Sequence, residues 1–101
     1  MTGGAGSGRG RRRRVRRKAT ILGELGLHAR PAARFVELAS RFEAEVRVSC
    51  KGTTVSGRSI MGLMMLAAGG GAELIISASG PEADAAVEAL SRFVQSGFRA
   101  S

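Results

Sequence analysis

Residues 45–55 read EVRVSCKGTTV. Val46, Val48 and Cys50 alternate with Arg47 and Ser49, and this period of two puts the apolar side chains on one face of a strand. Lys51-Gly52 then makes a hairpin turn, from which Thr53-Thr54-Val55 returns as a short second strand. A two-stranded ribbon cannot bury its apolar face alone. The flanking segments must supply the rest of the sheet and the layer that covers it.

Upstream, the residues from Ala29 to Phe42 change period. Ala32, Phe35, Val36 and Ala39 follow the i, i+3, i+4, i+7 rule of an amphipathic helix, with Arg34, Glu37 and Arg41 toward water. Glu37 and Arg41 stand at the spacing of a favourable ion pair. Pro31 suits a helix beginning at Ala29, because an N–H in the first turn has no intrahelical partner to lose. Earlier still, Val15, Arg17, Ala19 and Ile21 alternate with Arg16, Lys18 and Thr20 as in a half-buried strand, and Gly23 and Gly26 punctuate a loop ending at His28.

Downstream, Ser59 is placed to N-cap a short helix over Ile60–Leu66, which Gly69-Gly70-Gly71 stops. Residues 72–79 form a strand with Leu74, Ile76 and Ala78 on one face. Pro81 opens a last helix with the stripe Ala83, Ala86, Val87, Leu90 and Val94, and Gly97 ends it in the C′ position. The order is β-α-β-β-α-β-α. One sheet of four strands with helices on a single face satisfies every stripe, which makes an α+β two-layer domain.

The chain has 101 residues, enough for one compact domain. Its aromatic residues are four Phe, so small aliphatic side chains and Met must fill the core. A single cysteine excludes an internal disulfide, and Cys50 reads as a small buried hydrophobe. No ligand cluster suggests a metal, no apolar run is long enough to cross a bilayer, and no apolar stretch resembles a secretory signal. The net charge of +8 resides at the N-terminus. Eight of the sixteen Lys and Arg fall between Arg9 and Lys18, leaving eight to balance the eight acids of the remainder. Residues 1–14 read as a disordered Gly/Arg-rich tail and 15–101 as the domain. With no basic face on the neutral body and no stacking aromatics, a nucleic-acid partner is not expected.

His28 is the only histidine, and it falls where the first helix starts. Free N–H groups and the positive end of the helix dipole make such a position an anion site, and Arg30 adds a guanidinium fork suited to phosphate. A mostly neutral imidazole is a good nucleophile. The pattern suits a phosphorylated imidazole whose oxygens lie among the amides of Ala29, Arg30 and their neighbours. No P-loop, nucleotide fingerprint or Mg²⁺ carboxylates complete an enzyme. The phosphoryl group should arrive from one protein and leave to another.

The segments LGLHARPAARF and GRSIMGLMMLAAGGG, at this separation, resemble HPr, the histidine phosphocarrier family of the bacterial phosphoenolpyruvate-dependent phosphotransferase system (PTS). The resemblance spans about residues 15–98. It implies an HPr-like two-layer open-faced sandwich, a four-stranded antiparallel sheet with three helices on one face, in agreement with the order above. It also implies a cytoplasmic monomer without cofactor, His28 as the residue phosphorylated on Nδ1 by Enzyme I for delivery to EIIA-type acceptors, and Arg30 as the group that stabilises the phosphohistidine. It further implies that Ala29, Arg30 and Pro31 form the phosphate site and that Pro31 fixes the helix start. Ser59 matches a regulatory serine that a dedicated HPr kinase/phosphorylase modifies in some bacteria. Met61 and Met64 would face partners beside a rim of Arg30, Arg34 and Arg58, while Ile60, Leu63 and Leu66 would be mostly buried. Leu25 and the closing Ser96-Gly97-Phe98 lean toward the nitrogen-related or proteobacterial branch. The alternative of a different class is a regulatory binding module, in which phosphorylation switches partner affinity and carries no flux.

Overall fold

A computed structural model describes residues 14–22, 28–66 and 70–98. The elements are β1 (Val15–Thr20), α1 (Ala29–Ala39), β2 (Glu45–Cys50), β3 (Thr53–Ser56), α2 (Ile60–Met65), β4 (Glu73–Ser79) and α3 (Ala83–Gln95). The tail over 1–13, the glycine-punctuated loop over 23–27 and the stretch 67–69 lie outside the described residues.

The sheet runs β1-β4-β2-β3 with every neighbour antiparallel. The β2–β3 turn has two residues because Lys51 and Gly52 both take positive φ, 51° and 88°, and Cys50 then pairs with Thr53. That doubled left-handed turn matches the twist of the flanking strands, and glycine at its second position adopts it without strain. In the centre, Val48 pairs with Ile76 and Val46 with Ala78, so the buried residues of β2 and β4 share one face.

The helices cover that face. Ala32, Phe35 and Ala39 of α1, Leu63 of α2, and Ala86, Val87, Leu90 and Val94 of α3 join Val46, Val48, Leu74 and Ile76 in one core. Cys50 is buried and Ile21 is fully buried just beyond the end of β1, where its carbonyl accepts from Gly71 N–H and its N–H donates to the Ala72 carbonyl. Phe93 and Ser91, outside the stripe read from the sequence, are buried as well. The Ser91 hydroxyl is satisfied by the Val87 carbonyl at 2.7 Å.

Several boundaries differ from expectation. α1 ends at Ala39, not Phe42, because beyond Ser40 the bonds tighten to i−3, with Arg41 N–H reaching the Leu38 carbonyl and Phe42 N–H the Ala39 carbonyl. α3 begins after Pro81, with Glu82 as N-cap exchanging bonds with Glu43 across the loop. Gly97 ends α3 as expected. Its N–H reaches the Val94 carbonyl, Phe98 N–H reaches the Phe93 carbonyl, and the two Phe rings meet edge to face at 5.4 Å. This is a Schellman stop with its apolar contact, so Ser96-Gly97-Phe98 has a structural reason to be there.

Among the described residues the other sheet face has no helix. Arg14, assigned to the tail by sequence, lies on it, bonded to Glu45 at 2.7 Å and to the hydroxyls of Ser77 and Ser79. Arg47 beside it, together with Arg14, holds the Glu45 carboxyl below its usual range. Arg17 shares the helix-covered face with Ala19 but reaches its rim, where it pairs with Glu88 of α3 at 3.1 Å. Arg17, and with it Arg92, lowers the Glu88 pKa. The expected Glu37–Arg41 pair is not formed among the described residues; the ion pair of that spacing is Glu88–Arg92 on α3.

Candidate functional site

His28 is the N-cap of α1. Its backbone is extended (φ −109°, ψ −173°), its carbonyl accepts from Ala32 N–H at 2.9 Å, and its side chain makes no capping bond. The residue is exposed, as are Ala29 and Arg30. Among the described residues the N–H groups of Ala29 and Arg30 have no recorded acceptor, and the Arg30 guanidinium has no ion-pair or hydrogen-bond partner. Pro31 offers no N–H, so its part in any phosphate site is to fix the backbone at the third helical position, not to donate. The result is an open ring, two open amides and an open guanidinium at one helix start, with no acidic residue in the first turn to compete for them.

α2 starts differently. The Ser59 hydroxyl accepts from Gly62 N–H at 2.9 Å, and the Ser59 carbonyl accepts from Leu63 N–H. The serine is half-buried, and its oxygen is committed to the cap. Gly62 is tightly held, since a Cβ there would lie 3.0 Å from the Ser59 Oγ and 3.1 Å from the Val55 Cβ.

α2 packs on α1 and turns an apolar face outward. Met61 is 71% exposed and Met64 41%, as the sequence suggests, while Leu63 and Leu66 are buried. One residue departs from expectation, and one falls outside it. Ile60 is 40% exposed, and Met65, at 75%, is the most exposed of the group. The spacing 61, 64, 65 is itself an i, i+3, i+4 stripe, so helical phase alone could have found Met65.

The expected arginine rim divides. Arg30 and Arg34 line one shallow groove on α1. Arg58 instead donates to the carbonyls of Phe42 and Ala44 at 3.1 and 3.2 Å, past the other end of the helix. With 11 residues rising about 1.5 Å each, α1 sets that anchor more than about 15 Å from His28. Arg58 therefore does not join Arg30 and Arg34 in one rim; the carbonyls of the turn beyond α1 capture it. No three His, Cys, Asp or Glu side chains gather as a metal site among the described residues, and no described helix is long and apolar enough to cross a membrane.

A sequence model of the family described as the PTS HPr component phosphorylation site matches residues 15–96. This chain belongs to the HPr family. A phosphocarrier protein HPr from Cupriavidus necator is 40% identical over 84 residues, covering 83% of this chain and 94% of that protein. The crystal structure of HPr from Bacillus anthracis matches the fold with a TM-score of 0.78 at 43% identity, over 81% of this chain and 98% of that one. The HPr-like protein Crh of Bacillus subtilis is 42% identical, over 80% and 95% of the two chains. HPr proteins are phosphocarriers with no catalytic turnover of their own, and the sheet order and helix layer described above are those of HPr structures.

Proposed function

We propose that His28 is the phosphoryl acceptor of a PTS relay, taking the group from phospho-Enzyme I and passing it to EIIA-type proteins in the cytoplasm. The observation that carries this reading is the exposed, uncapped imidazole at the start of α1 beside the open amides of Ala29 and Arg30. The lone pair of the ring nitrogen, Nδ1 by family analogy, attacks phosphorus. A P–N bond forms as the donor's bond to phosphorus breaks, and that electron pair returns to the donor. Transfer onward repeats the exchange, with the P–N pair going back to the ring. Arg30 and the two amides bind the phosphoryl oxygens at both stages without a metal.

Met61 and Met64, with Ile60 and Met65 beside them, supply a deformable apolar docking surface, and Arg34 adds positive charge next to it. Ser59 serves as the regulatory position for an HPr kinase/phosphorylase. A phosphate on its oxygen would stay beside a helix N-terminus that tolerates charge, so its effect falls on docking and not on the fold. Residues 15–101, joined by Arg14, act as a monomeric carrier domain, with a basic segment appended before it.

Incubation with Enzyme I and phosphoenolpyruvate is expected to give one acid-labile, base-stable phosphoryl group per chain. His28→Ala should remove it completely, and labelling that persists in this variant refutes the assignment. Relatives include Crh, an HPr-like protein, so the onward step needs its own test. Loss of the label to an added EIIA supports a carrier, whereas a label that persists supports a regulatory module.

A further inference from the structure

On the flank of α1 away from α2, a groove of about 510 Å³ runs between α1 and α3. Arg34, Glu37 and Arg41 edge it on one side and Arg92 on the other, over a floor that includes Leu38 and Ala89. We infer that this groove docks an acidic amphipathic segment of a partner protein, at a surface that shares Arg34 with the expected rim but otherwise lies apart from the α2 methionines.

Three observations carry the inference. The first is that the cations of this flank are open. Arg14, Arg17, Arg47 and Arg58 are all bonded to carboxylates or carbonyls, whereas Arg34 and Arg41 have no such partner among the described residues. Arg92 has only Glu88, and its side chain remains 75% exposed.

The second is their order. Arg34 and Glu37 stand at i and i+3 on α1 and Arg41 follows in the turn beyond its end, and all three edge the groove in the order plus, minus, plus. The complementary ligand carries minus, plus, minus, with its two acids about 10 Å apart, the span of two helical turns. An amphipathic helix meets that spacing and places apolar residues on Leu38 and Ala89.

The third favours protein over nucleic acid. A nucleic acid presents phosphate continuously and would meet Glu37 in the middle of the stripe. Phe93, the one aromatic residue lining the groove, is buried, so the groove itself offers no ring for a base to stack on.

The site does not depend on His28 chemistry, so it can fail or stand without the proposed relay. The test uses the full chain, ¹⁵N-labelled, and a synthetic helical peptide with Glu, Lys and Glu at i, i+3 and i+7 beside a leucine face. Amide shifts should centre on Leu38, Arg41, Ala89 and Arg92. Arg41→Glu combined with Arg92→Glu should weaken binding about tenfold at low salt, the scale expected for reversing two exposed charges. Both side chains are exposed, so the amide spectrum should otherwise keep its dispersion, and labelling of His28 should proceed as before. The N-terminal arginines are common to parent and variant, so their attraction for the peptide cancels. The inference is overturned if a charge-inverted Lys-Glu-Lys peptide binds as well, or if the shifts centre on β1 or α2. It is also overturned if the double variant binds undiminished, or if an RNA oligonucleotide displaces the peptide from the groove.

Discussion

The two helix starts on the covered face have similar backbones and opposite fittings. His28 and Ser59 are both extended residues, with φ of −109° and −112°, leading into a helix. Ser59 turns its oxygen onto Gly62 N–H and closes α2. His28 makes no such bond, and the donors behind it stay open. A side-chain cap is worth about 1 kcal/mol, so α1 forgoes stabilisation that its smaller neighbour takes. α1 is held instead by Ala32, Phe35 and Ala39 in the core and by the Ser40 and Arg58 bonds around its other end. An end left unfinished on a helix so well fixed elsewhere is available for a ligand.

Exchanging the fittings should break the contrast most visibly. His28→Asn supplies a capping oxygen in place of the ring. The phosphoryl label should vanish while stability to denaturant rises by about 1 kcal/mol. A fall in stability would show that the ring has a structural duty unseen here. The reciprocal change, Ser59→Ala, should cost about 1 kcal/mol and leave the His28 label in place; urea unfolding and phosphotransfer assays read the two halves. At the far end of α1, Arg58→Met should cost about 0.5–1 kcal/mol by removing the donors to Phe42 and Ala44. Its effect on Enzyme I affinity should be smaller than that of Arg34→Met, a ranking that titration of the two variants would check.

The smallest effect belongs to neither helix start. Glu45 is held below its ordinary value of 4.5 by Arg47 and Arg14. A carboxyl depressed in the folded state stabilises above its unfolded pKa, and that contribution is lost as pH falls through the folded value. Glu45→Gln should therefore flatten the acid side of the stability profile slightly, because the pair is exposed and screened. Glu45→Gln is expected to melt slightly below the parent between pH 6 and 8, with the two profiles converging as pH falls below about 4.5.

Much of this was legible in the sequence, and for identifiable reasons. The Lys51-Gly52 turn, the stripe of α3, the Ser59 cap and the Gly97 stop are local devices, each specified within a few residues. His28 stood out because an imidazole, a nearby arginine and a helix start coincide in three residues. What escaped depends on partners distant in the chain. Arg58 looked like part of the site until the carbonyls of Phe42 and Ala44 came within reach. Arg14 looked like tail, although Glu45, Ser77 and Ser79 await it. Ile60 had the composition of a core residue, but the short α2 cannot bury every apolar side chain it carries, and Leu63 and Leu66 take the inward positions. Burial of Phe93 beside the expected stripe follows from the Phe98 ring folding back on it.

Arg14 has a practical corollary. Its guanidinium is moored on the bare side of the sheet, at the back of the molecule if the imidazole is its front. Cutting the mooring itself would strip the hydroxyls of Ser77 and Ser79 of their cover, which makes Arg14 the last residue a truncation should spare.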